Sequence, residues 1–245
     1  MNQTLFITGT DTGVGKTVLT AVLVKFLRGR GAHAAAIKPV CTGRRDDARR
    51  LFAAMDGALT LDEINPWHFR AAIAPVLAAR QEKKFVDRGQ MIAHIRAMQK
   101  QFDVLLVEGA GGLLSPLGEK ADSRDLIAAL PVRPVIVATN KLGAVNHVLL
   151  TLAALPRNRR AEARVVLMSP SRSDAATKTN AALLAEFFDG QRVFSLPWFG
   201  EKFAAAKILK SLPVKRTLRA LLDGFDARQA GIFCAKRLGI SARGE

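Results

Sequence analysis

The chain has 245 residues, 49% of them apolar, with 37 Lys and Arg against 21 Asp and Glu and a formal net charge of +16. That apolar content can bury a substantial core in one large domain or two small ones. Two cysteines, Cys41 and Cys234, exclude a disulfide framework, and no apolar run approaches the roughly 18 residues of a membrane span.

The charge favours anionic partners. The basic residues are spread thinly, with some crowding at Arg44, Arg45, Arg49 and Arg50 and around Arg157 to Arg164, which fits a solvated surface. The N-terminal apolar stretch "TLFIT" is too short for a signal peptide and runs straight into a glycine loop. A cytoplasmic protein in a reducing compartment is expected.

"TLFIT", Thr4–Thr8, reads as a buried strand. It is followed by "GTDTGVGKT", Gly9 to Thr17, and then by a helix over Lys16–Leu27, whose Val18, Leu19, Val22, Leu23, Phe26 and Leu27 recur at helical spacing. A strand, a glycine loop and a helix in this order form a phosphate-binding loop. Small residues let backbone N–H groups turn around an anion, and the helix adds its positive end. Lys16 can reach the β- and γ-phosphates and Thr17 can ligate magnesium. The strict pattern places its first glycine where this chain has Thr10; here the glycine is Gly9, one residue early.

"HAAAIKPV" is a second strand stopped by Pro39. Lys38 is placed at the end of a central strand, where a lysine is costly to bury without an anionic partner. Asp46 and Asp47 follow among arginines; alone they read as a charged loop, and one of them as a magnesium ligand. After a helix near Phe85–Gln101, "FDVLLVEGAGG" is a third strand. Its terminal Glu108 is placed to face a metal on Thr17, and Gly109, Gly111 and Gly112 allow close backbone approach to a ligand. A helix over Ser123–Leu130 precedes a fourth strand, "RPVIVATN". "NKLGAVNH", Asn140–His147, then opens a helix whose backbone amides could bind a carboxylate or merely be capped. A fifth strand, "RVVLMS", and a helix over Asp174–Phe188 follow. The tail beyond Phe199 is basic and only patchily amphipathic.

Apolar strands alternating with helices predict an α/β fold, a mostly parallel sheet with helices on both faces, within a single domain over 1–245. Ligands in such sheets bind beyond the carboxyl ends of the strands. The four histidines lack metal-ligand spacing.

"GTDTGVGKT", "KPV", "VEGAGGLLSP", "KLGAVNH" and "LPW" stand in this order between about Thr4 and Trp198. Together they resemble the dethiobiotin synthetase family. The resemblance implies a homodimeric P-loop enzyme that uses ATP, magnesium and carbon dioxide to close a ureido ring on 7,8-diaminononanoate. It further implies that Gly13, Val14, Gly15, Lys16, Thr17 and Val18 cradle the triphosphate. Glu108, Gly109, Ala110, Gly111, Leu196, Pro197 and Trp198 would complete the nucleotide site. Thr17, Asp47 and Glu108 would hold magnesium, and Lys38 and Lys16 would serve catalysis. Thr12, Lys38, Thr42 and Gly111 would meet the diamine end of the substrate. Leu142, Gly143 and Asn146 would reach its carboxylate across the dimer. The family's Asn-Asp pair for adenine is replaced here by Met168 and Ser169.

The alternative is a partition or septum-site ATPase switch that binds DNA or membrane. Its signature loop lysine would fall at position 11, where this chain has Asp11. No nucleic-acid or membrane partner is therefore expected. The Asp11 carboxylate is expected to pair with Lys16 or Lys38.

Overall fold

The computed structural model describes residues 3–200 and 203–224. Strand β1 (Gln3–Gly9) leads through the glycine loop into helix α1 (Lys16–Arg28). Strands β2 (Ala34–Ile37) and β3 (Val40–Thr42) follow, then α2 (Asp46–Ala54), α3 (Leu61–Ile64), β4 (Trp67–Phe69), α4 (Pro75–Gln81) and α5 (Arg88–Gln101). The second half runs β5 (Val104–Glu108), α6 (Ser123–Ala129), β6 (Arg133–Thr139), α7 (Ala144–Ala154), α8 (Arg157–Arg160), β7 (Arg164–Met168), α9 (Ala175–Phe187) and β8 (Val193–Leu196). Two helices close it, α10 (Ala205–Ile208) and α11 (Leu212–Leu221).

Six strands form one sheet in the order β2-β5-β1-β6-β7-β8, and every pairing is parallel. β5 is buried at all five positions. Its side chains alternate between the two faces, so both faces are covered. The deepest layer comes from β1, where Leu5, Phe6 and Ile7 are fully inaccessible. Truncating one of these to Ala would cost roughly 2–5 kcal/mol.

The predicted α/β architecture is the one observed, with three additions and one correction. β8 extends the sheet beyond β7. β3 and β4 form a separate two-stranded parallel pair. The segment around Asp46 and Asp47 is not a loop: it begins α2, which buries Ala48, Leu51 and Ala54. The correction concerns Lys38. It follows β2, which is the edge strand of the sheet rather than a central one. Lys38 is buried all the same, because the α3–β4 segment covers that edge. The Lys38 amide donates to the Ile64 carbonyl, and the Asn65 side-chain amide donates to the Lys38 carbonyl.

The basic tail folds onto the domain as far as it is described. α11 turns Val214, Leu218 and Leu221 inward at helical spacing, and α10 packs on α1. Cys234 lies outside the described residues.

Candidate active site

The carboxyl ends of β1, β2 and β5 meet at one edge of the sheet, and a cavity of about 680 Å³ opens above them. Thr12, Gly13, Gly15, Lys16, Thr17, Val18, Lys38, Thr42, Asp47, Ala110 and Gly111 all line it. Thus the loop, the end of β2, the start of α2 and the turn after β5 converge although they are far apart in sequence.

The loop geometry explains its glycines. Gly15 caps α1 with φ 101°, a left-handed conformation that disfavours a side chain. No acid occupies the first turn of α1, so its free amides keep their positive end for an anion. Gly9 is constrained by space: a Cβ there would lie 2.9 Å from Val14 Cγ2 and 3.1 Å from Lys16 Nζ. The early glycine is therefore required by the close return of the loop over the end of β1.

Below the cavity sits a cluster of charges. The Thr17 hydroxyl donates to Glu108 Oε1 at 2.6 Å. The Lys38 ammonium donates to Glu108 Oε1 at 2.7 Å and to Asp47 Oδ2 at 2.6 Å. Lys38 is 5% exposed and Glu108 1%. Burial works to lower the pKa of Lys38, but Glu108 and Asp47 outweigh it and hold the ammonium charged, above its ordinary range. Burial works to raise the pKa of Asp47; the Lys38 charge and hydrogen bond, Thr17 and Arg50 together bring it below the usual carboxylate range. Lys16 lies differently. Its ammonium donates to the Asp11 carbonyl at 2.7 Å. Burial first, and the Lys38 charge second, pull its pKa down to about 8.

Asp46 and Asp47 are resolved by orientation. Asp47 faces the cavity and Lys38, whereas Asp46 turns to Arg44 and Arg49. The expected Asp11 pairing is corrected. Its carboxylate accepts from the Thr12 amide at 2.6 Å, and only its backbone carbonyl meets Lys16.

Magnesium fits this donor set. Thr17 Oγ1, Asp47 and Glu108 are hard oxygen donors, and the Lys38 ammonium lies between the two carboxylates. Glu108 Oε2 is buried with no hydrogen-bond partner among the described residues.

Other expected site residues lie outside the cavity. Val14 and Glu108 are buried beneath it. At Gly109 an added Cβ would lie 2.6 Å from Ser123 Oγ, so the position packs against α6. Leu196 is buried at the end of β8, and Trp198 beyond Pro197 is 51% exposed. Met168 packs under the loop, since a Cβ on Gly15 would lie 3.0 Å from its Cγ. Leu142, Gly143 and Asn146 sit at the open start of α7, where Gly143 is the left-handed cap and Leu142 is 84% exposed. Asn140 is structural: its side chain donates to the Thr177 carbonyl and accepts from Asn180, tying β6 to α9.

Six lining positions lie outside the motifs quoted above: Cys41, Arg50, Ala72, Ile73, Ala74 and Pro75; Ser115 and Pro116 close the cavity from within "VEGAGGLLSP". The Cys41 thiol is buried and its pKa raised, chiefly by burial. The stretch "FRAAIAPVLAAR", Phe69 to Arg80, resembles a family segment near the substrate, and its Ala72, Ile73, Ala74 and Pro75 line the cavity.

Comparison with known proteins agrees with this geometry. A family model described as an AAA domain matches residues 3–203. The ATP-dependent dethiobiotin synthetase BioD of Anaeromyxobacter dehalogenans (strain 2CP-1) is 38% identical over 213 residues, covering 85% of this chain and 96% of that protein. That of Akkermansia muciniphila is 39% identical over 189 residues, 76% of this chain and 88% of the relative. That of Anaeromyxobacter sp. (strain Fw109-5) reaches 47% over 155 residues, 62% and 70% respectively. Among solved structures, pNOB8 ParA bound to nonspecific DNA aligns with a TM-score of 0.53 at 12% identity, over 97% of this chain and 99% of that one. The MinC:MinD cell division protein complex of Aquifex aeolicus gives 0.51 at 16%, over 99% and 98%. At such identities the likeness is one of fold alone. The fold is thus shared with these two structures, but the sequence relationship is to synthetases: the chain belongs to the ATP-dependent dethiobiotin synthetase family.

Proposed function

We propose that this chain is an ATP-dependent ligase that closes the ureido ring of dethiobiotin on 7,8-diaminononanoate with carbon dioxide. The observation that carries the reading is the buried Lys38, which donates to Asp47 and Glu108 and lines one cavity together with Lys16 and the glycine loop. In this reaction one substrate amine captures carbon dioxide as a carbamate. The carbamate oxygen then attacks the γ-phosphorus of ATP and releases ADP, and the neighbouring amine attacks the carbonyl carbon of the resulting mixed anhydride, breaking its C–O bond to phosphate and closing the ring. Both reactants are anionic, so the demand on the protein is positioning and charge stabilisation.

The loop amides of Gly13–Val18 and the end of α1 would hold the triphosphate, with Lys16 on it. Lys38 would lie against the carbamate and the transferring phosphoryl group. Thr12, Thr42 and Gly111 would position the diamine. Thr17, Asp47 and Glu108 would hold magnesium, which would supply positive charge against the triphosphate. No strong base is needed, because the second amine attacks in its neutral form and the proton it loses passes to the departing phosphate.

A homodimer belongs to the same proposal. Leu142 at 84% exposure, Leu150 at 60% and Leu114 at 51% are large apolar residues on or beside α7, and Leu142, Asn146 and Leu150 recur every fourth residue on its exposed side. Pairing there would cover them and bring the uncapped α7 start to a partner's substrate carboxylate.

The test is mass spectrometry after incubation with ATP, magnesium, the diamine and ¹³C-bicarbonate. Dethiobiotin carrying one heavy carbon is expected. ATP hydrolysis that is indifferent to diamine and bicarbonate, or that is instead stimulated by duplex DNA, would overturn the proposal.

A further inference from the structure

Four arginines crowd residues 44–50, and three of them are engaged. Arg44 pairs with Asp46, Arg49 with the same Asp46, and Arg45 with Asp62 and the Asn65 side chain. Arg50 has no ion-pair or hydrogen-bond partner among the described residues. It lines the cavity together with Lys16, Thr17, Val18 and Lys38. It stands one turn beyond Asp47 on α2, but the nearby carboxylate is taken by Lys38 at 2.6 Å.

The guanidinium is nevertheless held. Its central carbon lies 5.3 Å from the ring centroid of Phe203. Phe203 is partly buried against the core and leads into α10, which packs on α1. A planar guanidinium stacked on a ring keeps its donor edge free and pre-oriented. An exposed lysine in this place would hold neither the plane nor the fork.

We propose that Arg50 is a third phosphate-recognising cation of the site, contacting the nucleotide triphosphate from the α2 wall while Phe203 acts as its positioning residue. The inference rests on the reading that Gly13–Val18 takes a triphosphate. It gives the segment after β8 a role: Phe203 links the tail to nucleotide binding. It also separates two tasks. Lys38 is buried among carboxylates at the floor, where charge is transferred; Arg50 stands at the wall, where affinity is set.

The test uses the full chain, calorimetric titration with the non-hydrolysable analogue AMPPNP and magnesium, and steady-state kinetics. Arg50→Ala is expected to weaken AMPPNP binding and raise the ATP KM by about tenfold, with kcat within twofold. Arg50→Lys should fall between, retaining charge without the fork. Phe203→Ala should weaken binding about threefold, Phe203→Trp should restore it, and Phe203→Ala added to Arg50→Ala should add nothing, since the ring acts through the guanidinium. Arg50→Gln repeats the measurement with a longer uncharged side chain if the alanine variant melts early. Lys16→Ala is the benchmark. If Lys16→Ala loses AMPPNP while Arg50→Ala and Arg50→Gln bind within twofold of wild type, the Arg50 proposal is overturned and the loop reading stands. If Lys16→Ala binds like wild type, the loop reading fails and takes the proposal with it. A rise in the diamine KM instead of the ATP KM also overturns it, because the guanidinium would then serve the other substrate.

Discussion

The two ends of the site are built on opposite principles. At the phosphate end, Lys16, Thr17, Lys38 and Glu108 are buried and joined to Asp47 and Asp11 by short hydrogen bonds before any ligand arrives. At the α7 end, Leu142, Gly143 and Asn146 are exposed, and no side chain caps the helix. The groups of the first end all come from this one chain. The second presents apolar surface and free amides that none of the described residues covers. Pre-organisation suits the end where charge moves, since donors fixed in advance need no rearrangement in the transition state. The open end suits a contact supplied by a second copy.

The largest expected effect lies at the closed end. Lys38→Ala leaves Glu108 buried without its counter-charge, at a cost of roughly 3–5 kcal/mol in stability. It should also lower turnover by at least about a thousandfold. Adding Glu108→Gln should recover most of the stability in a denaturant titration and none of the turnover. Turnover retained by Lys38→Ala would erase the distinction between the two ends.

Next comes the open end. Leu150→Asp is expected to halve the mass measured by light scattering and to raise the diamine KM about tenfold. AMPPNP affinity should stay within twofold, because the phosphate end needs no partner. A wild-type protein that is already monomeric at working concentration would sink this half of the comparison.

A finer effect comes from protonation. Lys16 has its pKa lowered to about 8 by burial and by Lys38. Below pH 8 it is charged and ready for phosphate; as pH rises through 8 it loses its proton. A bound triphosphate favours the ammonium and raises that pKa again. Near pH 8.5, AMPPNP binding should therefore take up protons and weaken with further rise in pH. Calorimetry in buffers of different ionisation enthalpy reads the uptake, and Lys16→Met should abolish it. The smallest effect is expected at the rim. The Asp11 carboxylate meets only the adjacent Thr12 amide, so Asp11→Ala should keep activity within about threefold of wild type.

Much of the phosphate end was legible because its signals are local. A strand, a glycine loop, a Gly-Lys-Thr and a helix occupy one contiguous stretch, and β5 announces itself as four apolar positions ending in an acid. The partner of Lys38 was legible only as a requirement: a buried lysine needs an anion, but sequence spacing does not say that it is Glu108, 70 positions away. Strand order was hidden for the same reason. Nothing in "AAAI" marks β2 as an edge strand, because the α3–β4 segment buries it as thoroughly as a neighbour would. The helix α2 was obscured by its charges. Its buried Ala48, Leu51 and Ala54 carry the helical period, but two aspartates and two arginines over the same turns read as loop. β3 and β4, three residues each, are too short to carry any period. Arg50 could not be told from Arg49 by sequence, since only the turn of α2 sends one to the cavity and the other to Asp46.

The bond between Lys38 and its two carboxylates has a consequence for the resting protein. Two ammonium groups, Lys16 and Lys38, stand against Asp47 and Glu108, so the formal charges of the floor cancel. The lysine thereby acts as a resident counterion, neutralising acids that would otherwise repel each other in a poorly solvated place. Many sites built around acidic residues depend on a bound ion for their shape. This one holds a cation of its own against both carboxylates, so Lys38 sets the shape of the floor.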